Sequence, residues 1–277
     1  MQLGLIGYPI AHSLSPWIHN RLLDQHGLEG EYQLYECNAE QFPYQMEKLK
    51  SSKINGFNVT VPYKEKVIPY LDGLDEAAKF LGAVNTVKVD DGRLIGYNTD
   101  GQGYVASLLN RYDDALKPFD KVLILGSGGA ARGIFYALLK QGIKKVDVAN
   151  RTVEKAQQVI EDLQVQSTSE ALSLQKAEEN LSQYDHIIQT TSVGMAPEIN
   201  RKLISLTDIG PNTIVSDIVY RPMKTSLLKE AERQGARLHY GHGMLLNQAI
   251  LAFEIWTGKS TNASEMLKAF EEKLKGE

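Results

Sequence analysis

One segment constrains this chain more than any other. Gly126-Ser127-Gly128-Gly129-Ala130-Ala131 stands directly behind the apolar run Val122–Leu125 and opens a helical pattern running from about Ala130 to Gln141. The string reads G-x-G-x-x-A. In a strand, turn, helix context it is a dinucleotide-binding fingerprint. Gly126 permits the tight turn, Gly128 lets a pyrophosphate approach the backbone, and Ala131 permits close packing of helix on strand. The helix N-terminus, with Ser127, Gly129 and Ala130 around it, supplies free N–H groups and positive potential for phosphates. The competing reading is a tight turn and nothing more.

The surrounding pattern fits a parallel α/β domain. Lys121–Leu125 and Val146–Ala149 read as strands, followed by a helix near Val153–Leu163 and strands at His186–Gln189 and Thr213–Ile218. Such alternation implies right-handed crossovers. The second strand runs Val146-Asp147-Val148-Ala149 and ends in Asn150-Arg151-Thr152. An acidic residue at that end would accept from a ribose 2′-hydroxyl and favour NAD. The end here is not acidic, and the Arg151 guanidinium can fork onto a phosphate, which favours NADP. Asp147 lies three residues earlier, inside the strand. The plain alternative makes Asn150 and Thr152 turn and cap residues and Arg151 a solvated charge. Gln164 to Gln183 is the most polar stretch and reads as a loop plus a surface helix.

Residues 1 to about 100 alternate strand and helix in their own right. Leu3–Ile6, Tyr32–Glu36 and Phe57–Thr60 read as strands, and Val84–Val89 with Leu94–Tyr97 as a hairpin turned at Asp90-Asp91-Gly92. Ser15-Pro16 is expected to cap and open a helix that Gly27 closes. Further helices are expected at Ala39–Lys50, Glu65–Tyr70 and Asp75–Leu81, and at the end of the chain over Met244–Trp256 and Ser264–Leu274. Asn262 and Glu265 resemble a capping box before the last of these. Ser13, Ser15, Thr60, Lys64, Asn85 and Asp100 fall at element ends, where open α/β sheets bind ligands. Each also has an ordinary explanation as a cap, a turn or a surface charge.

Composition narrows the classes. The chain has 277 residues, and at about 100–200 residues per domain that suggests two domains. Thirty basic against 34 acidic residues give a net charge of −4, which argues against a general nucleic-acid binder. Cys37 is the only cysteine, so no internal disulfide forms and a reducing compartment fits. No apolar run is long enough for a membrane span, and Met1–Gly7 has no basic n-region of a signal peptide. These features suit a cytoplasmic protein. His239-x-x-His242 alone is a weak metal signal, and no metal is expected.

The chain as a whole resembles the shikimate dehydrogenase family. The resemblance rests on Gly7-Tyr8-Pro9-Ile10-Ala11-His12-Ser13-Leu14-Ser15-Pro16, Asn58-Val59-Thr60-Val61-Pro62-Tyr63-Lys64, Gly82-Ala83-Val84-Asn85-Thr86 and Gly96-Tyr97-Asn98-Thr99-Asp100-Gly101. To these are added the glycine loop, Asn150-Arg151-Thr152, Thr191-Ser192-Val193-Gly194-Met195 and Gly241-His242-Gly243-Met244-Leu245-Leu246-Asn247-Gln248. It implies an α/β fold of two domains with a cleft between them. A discontinuous substrate domain would span 1–101 and 242–277, and a Rossmann-type NADP-binding domain 102–241. The implied activity is reversible NADPH-dependent reduction of 3-dehydroshikimate to shikimate, by a monomer or homodimer with no nucleic-acid or membrane partner.

By the same resemblance Lys64 is the proton donor or acceptor and Asp100 its partner. Ser13, Ser15 and Tyr220 would bind the substrate carboxylate, and Thr60, Asn85 and Gln248 its ring hydroxyls. Glu76, Ile218 and Gly241 match positions near the cofactor, Ile218 through its backbone at the nicotinamide. Two departures are visible: Gln189 stands where the family often has Asn, and Ile218 where some members have Met. The nearest alternative is an NAD-using quinate/shikimate dehydrogenase of the same superfamily, which the paired serines and Arg151 disfavour.

Overall fold

The computed structural model describes residues 1–163 and 168–276. The chain forms two compact units, Met1–Thr99 with Gln248–Met266, and Asp100–Asn247 with Leu267–Glu277.

The first unit begins with β1 (Gln2–Gly7), α1 (Ser15–Gln25), β2 (Glu31–Glu36), α2 (Phe42–Ser51) and β3 (Gly56–Val59). A two-residue β4 (Gly73–Leu74), α3 (Glu76–Leu81) and the hairpin β5 (Thr86–Asp90) and β6 (Arg93–Tyr97) follow. The sheet order is β2-β1-β3-β5-β6-β4. β1 pairs parallel with both β2 and β3, so the chain leaves β1 one way and returns on its other side. β3 carries no exposed residue, as expected for a strand covered on both faces. The hairpin turns on Asp91 (φ 48°) and Gly92 (φ 79°), the pair of positive φ values that a two-residue turn between twisted strands requires. Phe57, Tyr63, Val67, Val84 and Val87 lie in its core.

The second unit holds α4 (Asp100–Arg111), β7 (Lys121–Leu125), α5 (Gly129–Lys140), β8 (Lys145–Ala149), α6 (Val153–Asp162), β9 (Ala171–Leu172) and α7 (Leu174–Glu178). It continues with β10 (His186–Gln189), β11 (Ile214–Asp217), α8 (Ser226–Arg233) and β12 (Arg237–Tyr240). α9 (Gly241–Thr257) begins in this unit and passes at Gln248 into the first, and α10 is Ala263–Lys275. All its strand pairs are parallel, in the order β12-β11-β10-β7-β8-β9. Counted from β7 this is the doubly wound order 3-2-1-4-5-6, whose switch point lies between β7 and β10.

Several sequence expectations are corrected. Ser15 does not cap α1: the cap position is Leu14, already helical at φ −87° and ψ −5°, with no side-chain cap bond. α2 starts at Phe42 rather than Ala39, because Asn38 Oδ1 takes the Glu40 and Gln41 N–H groups into a turn first. The expected helix at Glu65–Tyr70 is a run of turns ending in a single 3₁₀ turn at Ile68–Tyr70, where Pro69 supplies no N–H. α8 and β12 add a helix and a strand to those expected from the sequence. Of the polar stretch 164–183, residues 164–167 lie outside the described residues, and the rest forms β9, α7 and a short 3₁₀ turn.

Candidate active site

In the first unit the expected substrate residues gather where β1 and β3 end, on the two sides of that sheet's switch point. Strand ends at a switch point are the usual ligand site of an open α/β sheet. Thr60 N–H donates to the Ile6 carbonyl (3.0 Å) and Tyr8 N–H to the Val61 carbonyl (2.9 Å), so the two exits stay side by side. Ser13 follows a tight turn closed by its N–H on the Ile10 carbonyl (2.9 Å). Ser15 N–H donates to Ser13 Oγ (3.2 Å), which leaves the Ser13 proton for another acceptor. Lys64 is half-buried, and its carbonyl accepts from Val84 N–H (2.8 Å), tying its backbone to the segment that carries Asn85.

Behind this rim runs a buried polar chain whose connections the sequence does not reveal. The Tyr32 phenol donates to Asn58 Oδ1 (2.7 Å). Asn58 Nδ2 donates to the Asn85 carbonyl (3.1 Å) and to Thr86 Oγ1 (3.0 Å). Asn85 Oδ1 accepts from Thr86 Oγ1 (3.0 Å) and Thr99 N–H (2.9 Å), and its amide donates to Thr99 Oγ1 (2.9 Å). The Thr99 hydroxyl reaches the Gln248 carbonyl (3.1 Å). Buried polar groups this well paired escape the desolvation cost and hold one arrangement. His19 is buried flat against Tyr32, ring centroids 4.4 Å apart, and burial lowers its pKa to about 3.

In the second unit the glycine loop has the shape its sequence implies. Gly126 has φ +112°, a left-handed conformation that favours glycine, and a Cβ there would press on Thr190 and Thr191. Gly128 is the N-cap of α5 and gives it no side-chain cap bond. A Cβ on Gly128 or Gly129 would meet nothing within 4 Å, so open space lies before the uncapped amides. A helix start left in this way suits a pyrophosphate. Ser127 and Ala130 are half-buried beside it, and Ala131 is buried in the core. The loop is backed by α4, where Gly101 approaches Gly133 so closely that a Cβ would run into its carbonyl.

At the end of β8, Asn150 N–H donates to the Leu172 carbonyl (3.1 Å) and its Nδ2 to the Thr152 carbonyl (2.9 Å). Thr152 is the cap position of α6 but makes no side-chain cap bond. Arg151 is exposed and has no hydrogen-bond or ion-pair partner among the described residues. Asp147 is not available to a ribose. It is buried, and accepts from Glu170 N–H (2.8 Å) and the Tyr184 phenol (2.8 Å).

The remaining site residues divide between the units. Glu76 belongs to the first unit as the exposed opening residue of α3. Asp100, buried at the start of α4, belongs to the second. So do half-buried Ile218 and Tyr220, and Gly241, which packs on the Ile218 and Val219 carbonyls too closely for a Cβ. Next to them Asp217, 1% exposed, accepts from Thr225 Oγ1 (2.7 Å), Val219 N–H (2.9 Å) and Gln189 Nε2 (3.1 Å). Burial pushes its carboxyl up to about 6, against the pull of those donors. His239 and His242 have other partners, His239 with Ser107 (2.8 Å) and Ser216 (3.1 Å), and His242 with Glu271 (3.1 Å). Among the described residues no cluster of three His, Cys, Asp or Glu side chains is placed to hold a metal, and no helix is long and apolar enough to cross a membrane.

Three family models match the chain. Residues 5–87 match the shikimate dehydrogenase substrate binding domain, 113–209 shikimate / quinate 5-dehydrogenase, and 241–269 the shikimate 5′-dehydrogenase C-terminal domain. A protein of Oceanobacillus iheyensis named shikimate dehydrogenase (NADP(+)) is 49% identical over 100% of this chain and 99% of its own length. The shikimate 5-dehydrogenase of Thermus thermophilus, solved with NADP(H) and shikimate, is 33% identical, with a TM-score of 0.87 over 98% of this chain and 99% of that one. A quinate dehydrogenase of Corynebacterium glutamicum, solved with NAD, is 30% identical, with a TM-score of 0.89 over 98% of this chain and 99% of that one.

Proposed function

The chain belongs to the shikimate dehydrogenase family, and from that premise we propose that it catalyses the reversible, NADPH-dependent reduction of 3-dehydroshikimate to shikimate. The observation that carries this reading is the full-length identity to a protein named for the NADP(+)-dependent activity. The uncapped α5 start and the unpartnered Arg151 support the cofactor half of it.

NADPH, when bound, supplies the hydride. The amides of Ser127, Gly128, Gly129 and Ala130 would hold the pyrophosphate, while Gly126, whose own N–H donates to the Ala149 carbonyl (2.8 Å), shapes the turn that presents them. Asn150, Arg151 and Thr152 hold the 2′-phosphate, with Arg151 as the charge. Glu76, Ile218 and Gly241 complete the cofactor contacts. Ser13, Ser15 and Tyr220 donate hydroxyl protons to the substrate carboxylate, and Thr60, Asn85 and Gln248 bond the ring hydroxyls. Lys64 Nζ gives a proton to the oxygen that gains charge as the carbonyl is reduced, and takes it back in the reverse direction. Asp100 orients Lys64 or shares its proton. The substrate part is assigned to 1–101 with 242–277 and the cofactor part to 102–241. The same reading makes the enzyme a cytoplasmic monomer or homodimer with small-molecule partners only, in keeping with its single, buried, free cysteine.

The test is loss of NADPH absorbance with 3-dehydroshikimate, repeated with NADH, and run in reverse with shikimate and with quinate. Rapid turnover with NADPH and shikimate is expected. Preference for NADH and quinate would replace the proposal with the quinate-type activity.

A further inference from the structure

Sheet order fixes the direction in which a dinucleotide would lie on the second unit. The expected 2′-phosphate site is at the end of β8 and the pyrophosphate site at the end of β7. With the strands in the order β11-β10-β7-β8, the other half of the cofactor falls over the ends of β10 and β11. Two loops leave there, 190–194 and 218–225, and one buried pair of side chains holds both. Gln189 and Asp217 are the last residues of their strands and stand opposite each other in the parallel register. Both are nine-tenths or more buried.

The bonds of this pair are directional. Gln189 Oε1 accepts from Thr191 N–H, and Nε2 donates to the Val193 carbonyl (3.1 Å), so one amide closes both ends of the first loop. The same Nε2 donates to Asp217 Oδ1 (3.1 Å). Asp217 Oδ1 also takes Val219 N–H (2.9 Å), and Oδ2 takes the Thr225 hydroxyl (2.7 Å), which in turn accepts from Leu228 N–H (3.3 Å) at the start of α8. The second loop is thereby fixed at its first residues and at its exit. Ile218 and Tyr220 lie on it. A side chain shorter by one methylene would carry its amide less far along the Thr191–Val193 turn.

We propose that Gln189 and Asp217 are positioning residues for the nicotinamide half of the cofactor: they act through the two loops they hold and do not touch the reacting atoms. This rests on the reading of the chain as an NADP-dependent dehydrogenase. A residue that merely supports the domain would weaken every part of the cofactor alike. A positioning pair at β10 and β11 weakens one half only.

The experiment compares NADP⁺ with adenosine 2′,5′-bisphosphate, which has the adenosine end and the 2′-phosphate but no nicotinamide, by calorimetric titration of the whole protein. Gln189→Met keeps most of the volume and removes all three bonds. It is expected to raise the Kd of NADP⁺ about tenfold, as the loss of one to two net hydrogen bonds does, and to leave that of the bisphosphate unchanged. Asp217→Asn keeps the Oδ1 acceptor for Gln189 and Val219 and reverses only the bond to Thr225. It should give a smaller rise, again confined to NADP⁺, and it decides the matter alone if Gln189→Met does not fold. Equal losses for both ligands, or an unchanged NADP⁺ Kd in a folded variant, overturn the proposal. Failure of the underlying reading looks different: the unaltered protein would then bind neither ligand.

Discussion

Replacing Arg151 by alanine should separate the two nicotinamide cofactors. The side chain is exposed and has no hydrogen-bond or ion-pair partner among the described residues, so its removal breaks nothing inside the fold. The turn that presents it is held by Asn150, through the Leu172 and Thr152 carbonyls, and persists in the variant. The loss is therefore confined to what the guanidinium adds when a 2′-phosphate is present. A charge-assisted hydrogen bond contributes about 1.5–3 kcal/mol, or roughly 10–150-fold in affinity. Exposure and salt screening put this site near the lower end, about tenfold. KM for NADPH should rise by that factor in steady-state assays at low salt, while KM for NADH, which lacks the phosphate, stays put. Raising the ionic strength should narrow the gap between variant and parent. Equal losses for both cofactors, or none for NADPH, would show that Arg151 does not read the phosphate.

Lys64→Ala should lower kcat by about 10²–10⁴ while NADPH binding, measured by titration, survives. Asp100→Asn should lower kcat too, and a double variant that costs the sum of both would mean that the two residues do not act together. Ser13→Ala should mainly raise KM for shikimate, by roughly tenfold or more if its bond is to the carboxylate, and Tyr220→Phe should act on the same constant. An unchanged KM in both removes that assignment. Asp217 gives a pH signature in stability. Its folded pKa of about 6 lies above the ordinary 3.8, so the folded state holds the proton more tightly. The resulting stabilisation is complete below about pH 4 and is lost as the pH rises through about 6, by roughly 3 kcal/mol. Asp217→Asn should flatten that part of the profile in denaturation followed by circular dichroism, and parallel profiles for parent and variant would refute the assignment.

Local chemistry made much of this legible in advance. The glycine loop, the α5 start, the Asp91-Gly92 hairpin and the strands β7, β8, β10 and β11 follow from patterns within a dozen residues, where periodicity and turn preferences act. The failures have local causes as well. Ser15 looked like a cap because Ser before Pro usually is one, but Leu14 is already helical and Ser15 is buried in the polar cluster near Tyr32. A residue that breaks a propensity rule beside a candidate site is where such rules are expected to fail. α8 had a visible signal in Thr225, whose hydroxyl caps it while also donating to Asp217.

What stayed hidden is long-range. Tyr32 and Asn58 are 26 residues apart, Gln189 and Asp217 28, and Thr99 and Gln248 149. No spacing rule joins them, because sheet register does. Yet the polar residues in the apolar strands were a signal of another kind. Asn58 stands within Phe57–Val59, and Asp217 closes Ile214–Asp217, runs that are otherwise apolar apart from Ser216. A buried amide or carboxylate without partners is costly, so each such residue implies a partner at equal depth. For Asp217 the doubly wound order narrows the search to the strands beside β11. Two residues end those strands opposite it, Gln189 on β10 and Tyr240 on β12, and it is the Gln189 amide that makes the bond. Topology together with the satisfaction of buried polar groups thus reduces the partner of Asp217 to two positions, which motif and spacing alone do not do.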